Sequence, residues 1–131
     1  MKRTAAVVAL AVAFGLSGCT PQEPTVVTFE VAGEQTYRIE LTSREHIDHV
    51  RALMDGSTEE GRIPVGRIVR DDPGVNEPWS WHIDPATLEF ADFTTEVCDG
   101  LPEYVEDRTL TSDTYCPWIA EPIELTGPGS R

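Results

Sequence analysis

The sequence predicts an α+β domain in which an antiparallel sheet of about five strands carries one main helix on a face. Two observations support this fold class. Apolar and polar residues alternate over several short segments, and only one longer segment repeats its apolar residues with the helical period. We expect a single domain over 26–126, after a polar tether at 19–25 and before a frayed tail at 127–131.

A period of two predicts the first pair of strands. Six apolar residues alternate with polar ones on either side of a turn that contains Gly33. They are Val27, Phe29, Val31, Tyr37, Ile39 and Leu41. Because alternating side chains point to opposite faces of a strand, all six lie on one face. We therefore expect a β-hairpin with one wet face.

The main helix is predicted to begin directly after this hairpin. Thr42 with Glu45 matches a capping box, and Ser43 is a rival N-cap. Four apolar residues at helical spacing share one face, namely Ile47, Val50, Leu53 and Met54. Gly56 is a natural C-terminal stop, because glycine readily adopts the left-handed conformation that ends a helix.

Shorter elements are predicted in the rest of the domain. Three further strands are expected at 63–70, from about Trp79 to Ile83, and at 88–93. A short strand or turn follows at 96–98. Asp99 is a candidate N-cap for a short helix over 102–106.

The N-terminal segment has the layout of a secretory signal. Lys2 and Arg3 precede a run of 12 apolar or small residues over 5–16, which is too short to span a bilayer permanently. The run closes with the letters LSGC, ending at Cys19, and this ending resembles the lipobox of bacterial lipoproteins. The resemblance implies a signal peptide at 1–18, a lipid such as palmitate on Cys19, and an extracytoplasmic domain anchored to the cell membrane.

The charge of the chain is strongly negative, with a formal net charge of −13. Loss of residues 1–18 removes Lys2 and Arg3, which leaves 8 basic and 23 acidic residues and a net charge of −15. Such a surface repels phosphate backbones and anionic lipid head groups, which argues against nucleic-acid binding. It serves solubility, or it attracts cations or a basic partner.

The chain has three cysteines, and an odd number in a secreted protein needs an explanation. If Cys19 carries a lipid, then Cys98 and Cys116 remain as a pair that is oxidised outside the cytoplasm. The alternative is a metal site. Two isolated cysteines, however, match poorly the paired spacing of zinc sites.

The most distinctive stretches of sequence lie in the second half of the chain. They are NEPWSWHIDP at 76–85, EVCDGLP at 96–102, VE at 105–106 and YCPW at 115–118. Together they resemble a family of small secreted domains, some of which carry the label "calmodulin-binding protein". The resemblance implies the fold and a disulfide between Cys98 and Cys116, and it implies no catalytic residue. It carries over no calmodulin site, because the predicted helix has two arginines against three acids, whereas calmodulin targets are basic.

The three tryptophans and four polar residues are the candidate functional positions. Trp79, Trp81 and Trp118 are best interpreted as core, with Trp118 beside the disulfide. A candidate polar or metal site comprises His82, Asp84, Glu96 and Asp99. If these four residues meet, their oxygens could bind calcium or support acid–base chemistry.

The sequence leaves three functional hypotheses. The first is a lipid-anchored extracytoplasmic module that binds an unknown protein or small ligand and needs no cofactor. The second is a calcium-binding domain that uses the acidic cluster. The third is a small hydrolase with Ser80 and His82, although neither a nucleophile-elbow motif nor evident oxyanion donors support it.

Overall fold

The computed structural model describes residues 12, 15, 18 and 22–131. Apart from three isolated positions, the predicted signal peptide lies outside the described residues, and so does Cys19. The described chain forms seven strands and two α-helices. They are β1 (Thr25–Val31), β2 (Gln35–Leu41), α1 (Arg44–Asp55), β3 (Ile63–Val69), β4 (His82–Ile83), β5 (Glu89–Ala91), α2 (Pro102–Glu106), β6 (Thr114–Tyr115) and β7 (Ala120–Thr126).

The strands form two antiparallel sheets. The first has the order β2–β1–β7, and in the second β3 pairs with β4, β5 and β6. The α+β class is confirmed, but the expected number of about five strands was too low. β6 has only two residues, and β7 contains Pro122 and exposed acids, so neither strand shows an alternating apolar pattern.

The predicted hairpin is confirmed in extent and in register. Val27 lies opposite Ile39, and Phe29 lies opposite Tyr37. All six alternating apolar residues are buried, with at most 4% of their surface exposed. β1 already begins at Thr25, which is buried although we assigned it to the tether.

The main helix α1 is confirmed, and of the two candidate caps Ser43 forms the bond. Its side chain accepts a hydrogen bond from the His46 N–H at 3.1 Å. The helix ends at Gly56, whose φ of 78° is left-handed. Val50 is fully buried in the core, whereas Met54 at the C-terminal end is 41% exposed, so the predicted apolar face is shorter than expected.

The later elements are shorter than the sequence suggested. Two predicted strands shrink to the two residues of β4 and the three residues of β5. Residues 96–98 form a 3-10 turn. Leu101, not Asp99, is the N-cap of α2, and its side chain makes no capping bond. In these segments the contacts come from distant parts of the chain, so the local pattern does not set the boundaries.

The core joins both sheets through buried aromatic rings. The Tyr37 ring centroid lies 5.8 Å from that of Phe29, 5.9 Å from that of Trp81 and 5.2 Å from that of Tyr115. Burial raises the pKa of Tyr115, and the nearby carboxylate of Asp99 raises it further. Its hydroxyl therefore stays neutral and donates a hydrogen bond to the Gly100 carbonyl at 2.8 Å.

The disulfide between Cys98 and Cys116 is present, with a Cα–Cα distance of 5.0 Å. Both cysteines are buried beside Ile63, at the start of β3. The bond links the 3-10 turn to the segment after β6, and the Cys116 N–H also donates to the Cys98 carbonyl at 2.8 Å. Neither helix of the described chain has the length and apolar character that crossing a bilayer would need.

Reducing the disulfide is expected to lower the free energy of unfolding by about 3 kcal/mol. The bond closes a loop with a sequence separation of 18, which restricts the unfolded chain. Urea denaturation with and without reductant measures the change. The Cys98→Ser/Cys116→Ser variant should match the reduced protein and should not respond to reductant. An unchanged urea midpoint for the reduced wild type would contradict this expectation.

Candidate functional site

The four polar residues predicted to converge do not form a metal site. In the part of the chain that the structure describes, no three histidine, cysteine, aspartate or glutamate side chains are grouped so that they could hold a metal ion. His82 and Asp84 lie next to β3, whereas Glu96 and Asp99 flank the disulfide. The two pairs therefore have separate surroundings.

Asp84 and His82 are both engaged by neighbouring residues. The Asp84 carboxylate caps a 3-10 turn by accepting from the Ala86 N–H at 3.0 Å, and it also accepts from the Arg67 guanidinium. These bonds, that from Arg67 first, lower the pKa of Asp84 from its ordinary value. His82 Nδ1 lies 2.6 Å from the carbonyl oxygen of Asp72. These contacts are those of a turn acid and a bonded histidine.

Glu96 and Asp99 sit on either side of Cys98. Asp99 Oδ1 accepts from the Trp118 N–H at 2.9 Å, so this carboxylate joins the 3-10 turn to the segment after β6. Glu96 begins the turn and is exposed. Asp99 is thus occupied, and Glu96 contributes charge to the surface.

Ser80 is not paired with a histidine. Its hydroxyl donates to Glu106 Oε2 at 3.0 Å, and its backbone N–H donates to the same oxygen at 3.0 Å. His82 contacts Asp72 instead. The arrangement lacks the serine–histidine contact from which a serine hydrolase derives its nucleophile.

The stretch that starts at Asn76 covers the open edge of β2. Asn76 is only 1% exposed, and its Oδ1 accepts from the Arg38 backbone N–H at 2.7 Å. Its Nδ2 donates to the Trp81 carbonyl at 2.9 Å. The Arg38 side chain completes the contact by donating to the Glu77 carbonyl. One buried amide thus satisfies an edge-strand donor and a core carbonyl at once.

Trp79 and Trp81 are structural, whereas Trp118 is not in the core. Trp79 packs against the core, and its indole N–H donates to the Thr36 carbonyl of β2 at 2.9 Å. Trp81 is 1% exposed. Trp118 is 40% exposed, because the Asp99 contact holds its backbone at the rim of the disulfide. The prediction that all three tryptophans are core was therefore wrong for Trp118.

Exposed apolar side chains collect around the disulfide. We call the set Phe93, Val97, Trp118 and Ile119 the disulfide patch. Their exposed fractions are 91%, 73%, 40% and 68%, respectively. The Thr95 carbonyl oxygen lies 3.5 Å from both cysteine sulfurs, which holds the segment that carries Phe93 and Val97 next to the segment that carries Trp118. The patch includes four of the seven large apolar side chains that are exposed within residues 22–131.

The comparisons with known proteins give one family. The family model of the BP-74 N-terminal domain matches residues 23–127. The chain belongs to this N-terminal domain family. No curated protein and no solved structure matches the chain.

The family match covers all the described strands and helices of the domain. The disulfide patch was missed by the sequence analysis, which treated Phe93 as part of a strand and Trp118 as core. Ile119 and Phe93 are large apolar residues next to turns, outside the alternating segments. That position is the signal that could have identified them as exposed.

Asn76→Ala is expected to lower the free energy of unfolding by about 3 kcal/mol. The change leaves the Arg38 N–H and the Trp81 carbonyl without their partner. Urea denaturation measures the loss. Glu77→Ala is the matched control, because Glu77 contributes its backbone carbonyl and its exposed side chain can be removed. Equal stability of Asn76→Ala and Glu77→Ala would contradict the role given to the buried amide.

The stability of the domain is expected to fall in acid partly through Asp84. Its pKa is lowered in the folded state, so its contribution is present above the unfolded value and is lost as the pH falls through the folded pKa. Asp84→Asn should therefore melt at a lower temperature than wild type at neutral pH. The difference should shrink as the pH falls below about 4. Asp113→Asn, which removes none of the Asp84 contacts, is the control. A pH-independent difference for Asp84→Asn would contradict the linkage.

Proposed function

We propose that this domain is a lipid-anchored extracytoplasmic module that binds a partner and is not an enzyme. The observation that carries the proposal is the polarity of the domain. The chain enters at one end of the first sheet, and the disulfide patch includes residues at the other end. A module with this layout holds its exposed apolar surface away from the point of attachment.

The end at which the chain enters, which we call the anchor pole, contains both ends of the described domain. Thr25 starts β1 opposite Leu41, and its neighbour Val26 pairs with Thr126 at the end of β7. The tail that we expected to fray turns back here, since the Thr25 hydroxyl donates to the Pro128 carbonyl. A lipid on Cys19 would therefore place this end next to the membrane.

The opposite end of β1, which we call the distal pole, carries the turn between β1 and β2. Val31 pairs there with Ala120, and the Ala32 N–H donates to the Ile119 carbonyl at 2.8 Å. The seven residues of β1 span about 20 Å at the usual rise of a strand. Ile119 and the patch around it are thus separated from the anchor pole by the length of the sheet.

The charges at the anchor pole support attachment through a lipid, not through the protein surface. A cleft of about 630 Å³ lies there. Its charged lining comprises Arg44, Arg51, Arg131, Glu23, Glu40 and Asp48. Three arginines against three acids give no net positive charge with which to hold an anionic bilayer.

Exposed apolar groups are the main argument for a binding role. Monomeric soluble proteins seldom leave several large apolar side chains exposed side by side unless a partner covers them. In this domain the patch does not compensate for a poor core, since Phe29, Val50 and Trp81 are almost fully buried. Binding therefore explains the patch better than folding does.

Cys19→Ala is expected to move the protein from the membrane fraction to the soluble fraction of the cells that produce it. The reason is that no other feature of the proposed module attaches it to lipid. Immunoblotting of the two fractions measures the shift. Asp113→Asn serves as a control that should stay with the membrane. Undiminished membrane retention of Cys19→Ala would refute the anchor.

A further inference from the structure

We infer that the disulfide patch binds a segment of a partner protein that carries both basic and apolar side chains. The inference rests on the proposed binding function and adds the chemical class of the partner. It stands on two independent features of the distal pole, its exposed apolar residues and the acids that surround them.

The apolar part of the surface is continuous across two chain segments. The disulfide and the bond from the Trp118 N–H to Asp99 hold the segments together. Val97 precedes Cys98, and Ile119 follows Trp118 directly. A partner that covers one segment therefore also meets the other, and its apolar side chains find several contact points within a small area.

The surrounding charges are almost all negative. Glu96 and Asp99 flank Cys98, and Glu34 lies in the turn beside the Ile119 carbonyl. Glu30 and Glu121 stand opposite each other on β1 and β7. Like charges in this position destabilise a sheet, so an approaching cation would relieve the repulsion.

The strand pattern places Ile119 and Glu121 together. Ala120 lies between them and is buried, so both neighbours face the outer side of the sheet. The only basic residue with an ion pair here among residues 22–131 is Arg62, whose guanidinium lies 4.0 Å from Glu121 and leaves the other acids uncompensated. An apolar residue and an acid on one face match a segment that pairs an apolar with a basic side chain.

Other occupants fit the distal pole less well. A second copy of the chain would bring the same acids against themselves, and each copy without residues 1–18 carries a net charge of −15. An anionic membrane would be repelled for the same reason, and it lies at the anchor pole in the proposed orientation. A basic and apolar protein segment satisfies both the charges and the apolar surface.

The test measures binding of a synthetic peptide of about 14 residues made of lysine and leucine to the full-length, lipid-bearing protein in detergent micelles. The counterpart peptide with glutamate in place of every lysine is the first control. We expect the lysine peptide to bind at least about tenfold more tightly than the glutamate peptide, and the difference to shrink at about 0.5 M salt. Equal binding of the two peptides, or no binding of the lysine peptide, would overturn the inference.

Matched variants locate the site. Ile119→Ser should weaken binding of the lysine peptide about tenfold, whereas Ile123→Ser, which changes another exposed isoleucine on β7, should change it less than about twofold. Glu121→Gln should weaken binding more than Glu124→Gln, its neighbour on the same strand. If Ile123→Ser and Glu124→Gln have the larger effects, the site lies elsewhere and the inference is wrong.

Two further measurements separate this inference from the proposed function. A photo-crosslinking residue at position 97 of the full-length protein in cells, followed by sequencing of the attached segment, identifies the natural contact. A basic and apolar segment supports the inference, whereas an acidic or purely apolar one overturns it and leaves the binding module standing. Sedimentation of the protein in micelles tests the second copy. A dimer that Ile119→Ser abolishes would overturn the inference in favour of self-association.

Discussion

The buried side chain of Asn76 is the contact on which the rest of the structure depends. Its amide bonds the edge strand β2 on one side and the Trp81 backbone on the other. Trp81 is thereby held in the aromatic cluster with Tyr37 and Tyr115, which come from β2 and β6. Without the amide, an edge strand would be open to water or to another chain, and the two sheets would lose a shared anchor.

The motif that looked most functional in the sequence is therefore mainly structural. Asn76 and Trp79 satisfy backbone groups of β2, and Ser80 bonds Glu106 at the end of α2. Polar residues that belong to a distinctive motif can hold a fold together as readily as they can catalyse a reaction. The surface that the fold leaves free for a partner is the disulfide patch, which has no compact motif of its own.

The domain also separates attachment from recognition. β1 runs from the anchor pole to the distal pole and pairs with both β2 and β7 along its length. The disulfide strengthens the distal pole, where few regular hydrogen bonds exist, since Cys98 lies in a 3-10 turn and Cys116 follows the two-residue strand β6. A covalent bond can thus hold exposed apolar residues in place without a larger core beneath them.

Local patterns in the sequence determined the hairpin, the helix α1 and the Cys98–Cys116 pairing. In the hairpin and the helix, neighbouring residues carry the whole signal, such as the strict alternation before Leu41 and the Ser43 and Gly56 ends of the helix. Only the tertiary structure decided the second sheet, the strand β7, the exposure of Trp118 and the separation of Asp84 from Asp99. Those features depend on which distant segments meet across β1 and β3, and a linear pattern carries no information about such long-range contacts.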